Sequence, residues 1–101
     1  MKINEIVYTE TFWDDIKEVI HKYDTVSINL GDRFLDQIWF AEARIQANPH
    51  AFSKITKSGF RRCLLRKFPY KIFFRIKENK IIVIALIHKS RSNRHIKRRL
   101  K

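Results

Sequence analysis

The sequence predicts an α+β fold: an N-terminal strand, a helical hairpin, then a three-stranded antiparallel meander (β-α-α-β-β-β), with the helices on one face of the sheet. Three observations lead there. Apolar residues recur at helical spacing between residues 10 and 47. Three runs rich in β-branched and aromatic residues follow between residues 60 and 88. Turn-forming breaks separate those runs. Helical and strand periods in that order place helices before sheet.

Lys2 to Tyr8 reads as the first strand, through Ile3, Ile6, Val7 and Tyr8. A helix is expected from about Glu10, capped by Thr9 or Thr11, with Glu10, Asp14 and Asp15 at its positive N-terminal end. Phe12, Ile16, Val19, Ile20 and Tyr23 form its buried stripe. Asp24 to Ser27 breaks the pattern. A second helix runs from about Val26 or Ser27 to Ala47, with the stripe Phe34, Ile38, Ala41 and Ile45 widened by Leu35 and Trp39. Gly31 weakens a helix interior by about 1 kcal/mol relative to Ala, so it marks a close helix contact. Asn48-Pro49 ends this helix, and His50 to Gly59 is a loop in which Phe52 plugs onto the core.

The three runs are Phe60 to Phe68, Tyr70 to Lys77 and Lys80 to His88. In the middle run, Tyr70, Ile72, Phe74 and Ile76 share one face; Lys71, Phe73, Arg75 and Lys77 share the other. Ile81 to Ile87 is apolar on both faces, which predicts an inner strand covered on its second side. The hairpin covers one side only, so a second chain is expected over part of the other face or the nearby groove. Glu78-Asn79 suits a tight hairpin turn. Pro69 has no backbone donor and belongs at a strand start or an edge. Arg91 to Lys101 reads as a basic tail, too polar to be core.

With 101 residues, the chain suits one small domain spanning residues 1–101. Its 45% apolar content excludes a disordered chain, and two glycines and two prolines exclude a linker. The lone Cys63 fits a reducing cytosol. No apolar run follows Met1 to Glu5, so no signal peptide is expected, and Ile81 to Ile87 is far short of the roughly 20 residues that span a bilayer. Residues 1–50 carry five Lys or Arg against nine Asp or Glu; residues 51–101 carry seventeen against the single Glu78, giving the net +12. That polarity predicts an anionic partner on the second half.

Four segments resemble the RelE/ParE family of bacterial toxins from type II toxin–antitoxin modules: Leu30 to Phe34, Asn48 to Phe52, Phe68 to Tyr70 and His88 to Arg91. Their order and spacing, rather than any one segment, carry the likeness. The resemblance implies the fold derived above, a cognate antitoxin as partner, no cofactor, and one of two targets. RelE-like members cut messenger RNA on the ribosome; ParE-like members inhibit DNA gyrase without cutting.

Cleavage through a ribose 2′-hydroxyl needs a base, an acid and cations on the phosphate. The basic half has almost no carboxylate, and lysine is a poor base at its ordinary pKa, so His88 and His95 are the natural candidates. The resemblance puts Arg62, Lys71 and Arg91 at or near the cations of RNA-cutting members. Leu64 stands where such members tend to carry lysine, and no tyrosine follows Tyr70; both departures favour inhibition without cleavage. His88 and Arg91 are therefore catalytic candidates only for a nuclease, while Arg62, Arg66, Lys71 and Arg75 are candidates for binding nucleic acid or another target. A third reading is a non-toxic basic nucleic-acid-binding module, or a decayed toxin. Each candidate also has a structural role to weigh: His88 as a hydrogen bonder at a strand end, Arg75 as a stem covering the sheet, Arg62 and Arg66 as antitoxin contacts. Trp13 and Trp39 read as packing, His21 and His50 as incidental, and Arg94, Lys97, Arg98 and Arg99 as a solvated partner-binding arm. No metal-ligand spacing and no glycine-rich phosphate loop occur, and Cys63 lacks a base.

Overall fold

The computed structural model describes residues 5–100, so the start of the expected first strand at Lys2 lies outside the described residues. The elements run β1 (Glu5–Tyr8), α1 (Glu10–Val26), α2 (Leu30–Ala47), a 3-10 turn (Pro49–Ala51), β2 (Arg61–Leu64), β3 (Tyr70–Lys77), β4 (Lys80–His88) and α3 (Asn93–Arg99). The sheet order is β1-β4-β3-β2. The last three strands pair antiparallel, as expected. β1 lies parallel to β4, which makes β4 an inner strand.

Thr9 is the cap of α1: its Oγ1 accepts from Phe12 N at 3.3 Å. The Thr9 amide donates to Val83 O at 3.0 Å, so the end of β1 and the start of α1 share one residue. The helix does not break at Asp24 but continues to Val26. The sequence signal at Asp24 has a tertiary cause. Asp24 Oδ1 accepts from Gly31 N at 3.0 Å and caps α2, whose own cap residue, Asn29, is left-handed and makes no side-chain cap bond. A Cβ on Gly31 would come within 2.4 Å of that carboxylate oxygen, so the glycine does mark close helix contact.

The helical hairpin packs on one face, where Phe12, Ile16, Phe34, Ile38 and Ile45 meet Ile72, Phe74, Ile81 and Val83 in one buried core. Phe52 joins it against Phe74, with ring centroids 5.7 Å apart. The hairpin turn puts Glu78 and Asn79 both at positive φ, 50° and 62°, matching the right-handed twist of the strands it joins. β2 stops at Leu64 rather than reaching Phe68, because Lys67 takes a left-handed conformation and Pro69 cannot donate.

One expectation fails at the C-terminus. The tail is not a solvated arm: Asn93–Arg99 is helical, with Ser92 Oγ accepting from His95 N at 3.1 Å as its cap. α3 also covers part of the second face of β4, the face expected to meet a second chain. Ile96 and Leu100, one helical turn apart, bury against Phe60, Phe73, Ala85 and Ile87 and form a second core. Only two apolar residues are needed for that, and among so many cations they left no periodic signal.

Candidate functional site: a cationic cleft beside a cationic sheet face

The C-terminal end of β4 is built on its backbone. Past Tyr8↔Val83, β1 no longer covers the edge of β4. Side chains of α1 take over: Thr9 and Thr11 hydroxyls both donate to Ile84 O at 3.1 Å, and Asp15 Oδ2 accepts from Leu86 N at 3.0 Å. The pairing shifts register here, between Phe73↔Ala85 and Phe74↔Val83, leaving Ile84 as the extra residue of a bulge. The same Asp15 oxygen accepts from Arg99 Nη2 at 2.7 Å. Asp15 thus joins α1, β4 and α3; sequence reasoning saw it only as a helix-dipole residue.

His88 ends β4 on the helical-hairpin side, its ring 5.1 Å from that of Tyr70 and nearly perpendicular to it. Its Nδ1 accepts from Ser90 N at 3.0 Å and lies 2.8 Å from Ser90 Oγ. Arg91 N donates to His88 O at 3.0 Å and closes the turn. These contacts give His88 a structural role in its own turn. Between α1, this turn and α3 lies a cleft of about 710 Å³ whose charged wall comprises Asp15, Glu18, Lys22, Arg91, Arg98 and Arg99, with His88 and His95. Partial burial, then Arg91, Arg99 and Arg98, lower the pKa of His95 and favour its neutral form. Burial pushes the Tyr70 phenol up, so it stays protonated in this wall.

The other candidates lie elsewhere. Arg62 pairs with Phe73 and Leu64 with Lys71, so Arg62, Leu64, Lys71 and Arg75 project from the sheet face that α3 partly covers. His88, paired with Tyr70, projects from the opposite face. The structure therefore unites His88 with Arg91 and unites Arg62 with Lys71 and Arg75, but sets a sheet between the two groups. Arg75 lies with its guanidinium 5.2 Å from the centre of the Phe60 ring and is half-buried. Arg66 is exposed in the connection after β2. Arg61, overlooked in the sequence, donates to Phe52 O at 2.6 Å and pins the loop. Trp13 and Trp39 pack edge to face at 6.5 Å, and His21 and His50 are exposed. Burial raises the Cys63 thiol and leaves it inert. Among the described residues, no group of three or more His, Cys, Asp or Glu could hold a metal ion, and no helix is long and apolar enough to cross a membrane.

Comparison with known proteins decides the family. The model of the ParE toxin of the type II toxin–antitoxin system parDE matches residues 6–93. The chain belongs to the ParE toxin family. The same architecture occurs in a structure described as the chromosomal ParDE toxin–antitoxin system from P. aeruginosa, at 17% identity and a TM-score of 0.73, covering 85% of this chain and 96% of that one. The isolated E. coli RelE toxin is also similar, at 10% identity and a TM-score of 0.53 over 93% of each chain. An arginine-to-alanine double mutant of E. coli RelE in the free state gives 12% and 0.57, covering 99% and 96%. No curated protein sequence matches. The ParE toxin family thus joins the ParE-like and RelE-like fold that the four sequence segments implied.

Proposed function

We propose that this chain is the toxin of a type II toxin–antitoxin module, that it acts in the cytoplasm to arrest bacterial growth by inhibiting DNA gyrase, and that a cognate antitoxin neutralises it. The family match over residues 6–93 carries the toxin assignment. One geometric observation supports inhibition over cleavage: the nuclease candidates are split. A phosphodiester held by Arg62 and Lys71 lies across the sheet from His88, whose Nδ1 is already engaged by Ser90. General acid–base work needs its group within about 3 Å of the proton it moves. Arg62, Arg66, Lys71 and Arg75 then serve to bind the target, and His88 and Arg91 shape the turn that leads into α3.

The test is to induce the chain alone in a bacterial host and follow growth, transcript ends and gyrase. Growth should stop with transcripts intact, and purified gyrase should lose supercoiling activity when the protein is added. Transcripts cut at codon-phased positions, with cutting abolished by His88→Ala or Arg91→Ala, would replace this reading with ribosome-dependent RNA cleavage. Unimpaired growth with soluble expression would favour a binding module or a decayed toxin.

A further inference from the structure

We propose that the cleft between α1 and α3 binds a free nucleoside polyphosphate, with its phosphates on Arg91 and Arg98 and its nucleoside against Glu18, Tyr70 and His88. Such a ligand would be the chain's own, whichever target the toxin acts on.

The cleft opens where β1 ends. β1 pairs with β4 only as far as Tyr8↔Val83, so the last residues of β4 reach the molecular edge between the two helices. Leu86 and Ile87, both buried, contribute apolar floor. α3 and the turn before it form one wall, and α1 forms the other. The two walls differ in charge. On the α3 side, Arg99 is taken by Asp15 at 2.7 Å. Arg91 and Arg98 are exposed and have no ion pair among the described residues. Both lie close enough to act on His95: partial burial, then Arg91, Arg99 and Arg98, lower its pKa. Guanidinium groups gathered without a carboxylate between them suit a phosphate, which they can grip with paired, charge-assisted hydrogen bonds. His95 then becomes a further cation, because a neighbouring anion favours the imidazolium.

The α1 wall says which phosphate. Glu18 is exposed and also has no ion pair among the described residues. It lies within electrostatic range of the Tyr70 phenol, and the Tyr70 ring meets that of His88 edge to face at 5.1 Å. A carboxylate here can accept from the hydroxyls of a ribose or the amine of a base, and the two rings offer a base an aromatic contact. The same carboxylate repels a polyanion. A nucleic-acid strand carries charge at every residue and would have to pass Glu18 and Asp15; an acidic peptide meets the same repulsion and leaves Glu18 without a donor. Lys22, one turn further along α1, offsets part of that charge but leaves the two carboxylates in excess. A nucleotide concentrates its charge at one end and its donors at the other, as the cleft requires. The volume of about 710 Å³ lies within the roughly 300–1,000 Å³ of small-molecule sites.

The test is calorimetric titration of the intact chain with ADP, ATP, pyrophosphate, adenosine and a short single-stranded oligonucleotide. ADP and ATP should bind at one site, more weakly as salt rises. Pyrophosphate should bind at least tenfold more weakly than ADP, and adenosine without measurable affinity. Arg91→Gln and Arg98→Gln should each lower ADP affinity tenfold or more in proteins that melt like the unmodified chain, whereas Lys57→Gln, at an exposed cation outside the cleft, should not. Glu18→Gln separates the two ends: it should weaken ADP and leave pyrophosphate bound at least as tightly. The readout that needs no variant is the His95 ring, followed by NMR across pH. Arg91, Arg98 and Arg99 beside it, His88 in the turn, and Asp15, Glu18 and Lys22 on α1 are the charged and titratable groups around the cleft. A phosphate seated on Arg91 and Arg98 offsets their field, so ADP should raise the His95 pKa. A His95 titration that saturating ADP leaves unchanged overturns the assignment. So do ADP binding no tighter than pyrophosphate, equal losses of both ligands in Glu18→Gln, and an oligonucleotide that binds more tightly and displaces ADP.

Discussion

Asp15 is the residue whose removal should report most directly on how α3 is held. Asp15→Ala deletes two interactions made by one oxygen: the cap on Leu86 N at 3.0 Å and the ion pair with Arg99 at 2.7 Å. The amide of Leu86 lies in a partly buried strand edge, and an orphaned donor of this kind costs about 1–3 kcal/mol. The ion pair is worth less. The Arg99 side chain is 33% exposed and that of Asp15 17%, and exposed pairs contribute roughly 0.2–1 kcal/mol. The expected total is about 2–3 kcal/mol, a large share of the roughly 5–15 kcal/mol that holds a domain together. At about 4–8 °C per kcal/mol for a chain of this size, the melting temperature should fall by on the order of 10 °C or more. Asp15→Asn separates the parts, since its carbonyl can still accept from Leu86 while the charge is gone; it should cost only about 0.2–1 kcal/mol. Urea denaturation of Asp15→Ala, Arg99→Ala and the double variant closes a cycle, with a coupling of the same 0.2–1 kcal/mol that shrinks in high salt. Equal losses for the Asn and Ala variants would refute the capping argument, and zero coupling with Arg99 would refute the latch on α3.

Phe74→Ala, at a fully buried ring of the main core, should cost about 3–5 kcal/mol in chemical denaturation. Gly31→Ala should gain little in the natural chain, because the new methyl displaces the Asp24 cap; in an Asp24→Ala background it should stabilise by up to about 1 kcal/mol, the helix-propensity difference, measured by the same method. The pKa of His95 is lowered in the folded state, so its contribution is intact above the ordinary histidine range near 6.5 and is lost as pH falls below it, where the unfolded chain takes up the proton first; His95→Gln should remove that part of the pH dependence of thermal unfolding. Cys63, buried with a raised thiol pKa, should react with a thiol reagent at neutral pH only as fast as the protein opens, and rapid labelling would contradict its place in the core.

The order of elements was legible because local periodicity and global packing agree through residues 5–88. The stripes of α1 and α2 must face a core, and the alternation in β3 fixes which residues meet them. Turn chemistry at Glu78-Asn79 and Asn48-Pro49 is local by nature, so it too could be read directly. The sequence also carried the family through four short segments, and the charge asymmetry through composition. Tertiary structure alone decided the rest. Nothing local indicates that β1 lies beside β4, since parallel pairing is a long-range event. Nothing local distinguishes Asp24 as a breaker from Asp24 as the cap of a neighbouring helix, or Asp15 as a dipole partner from Asp15 as a bridge to β4 and α3. The tail is the sharpest case. Ile96 and Leu100 among cations look solvated until Phe60, Phe73, Ala85 and Ile87 present an apolar face for them to cover. Burial is a property of two surfaces meeting, and a sequence displays them one at a time.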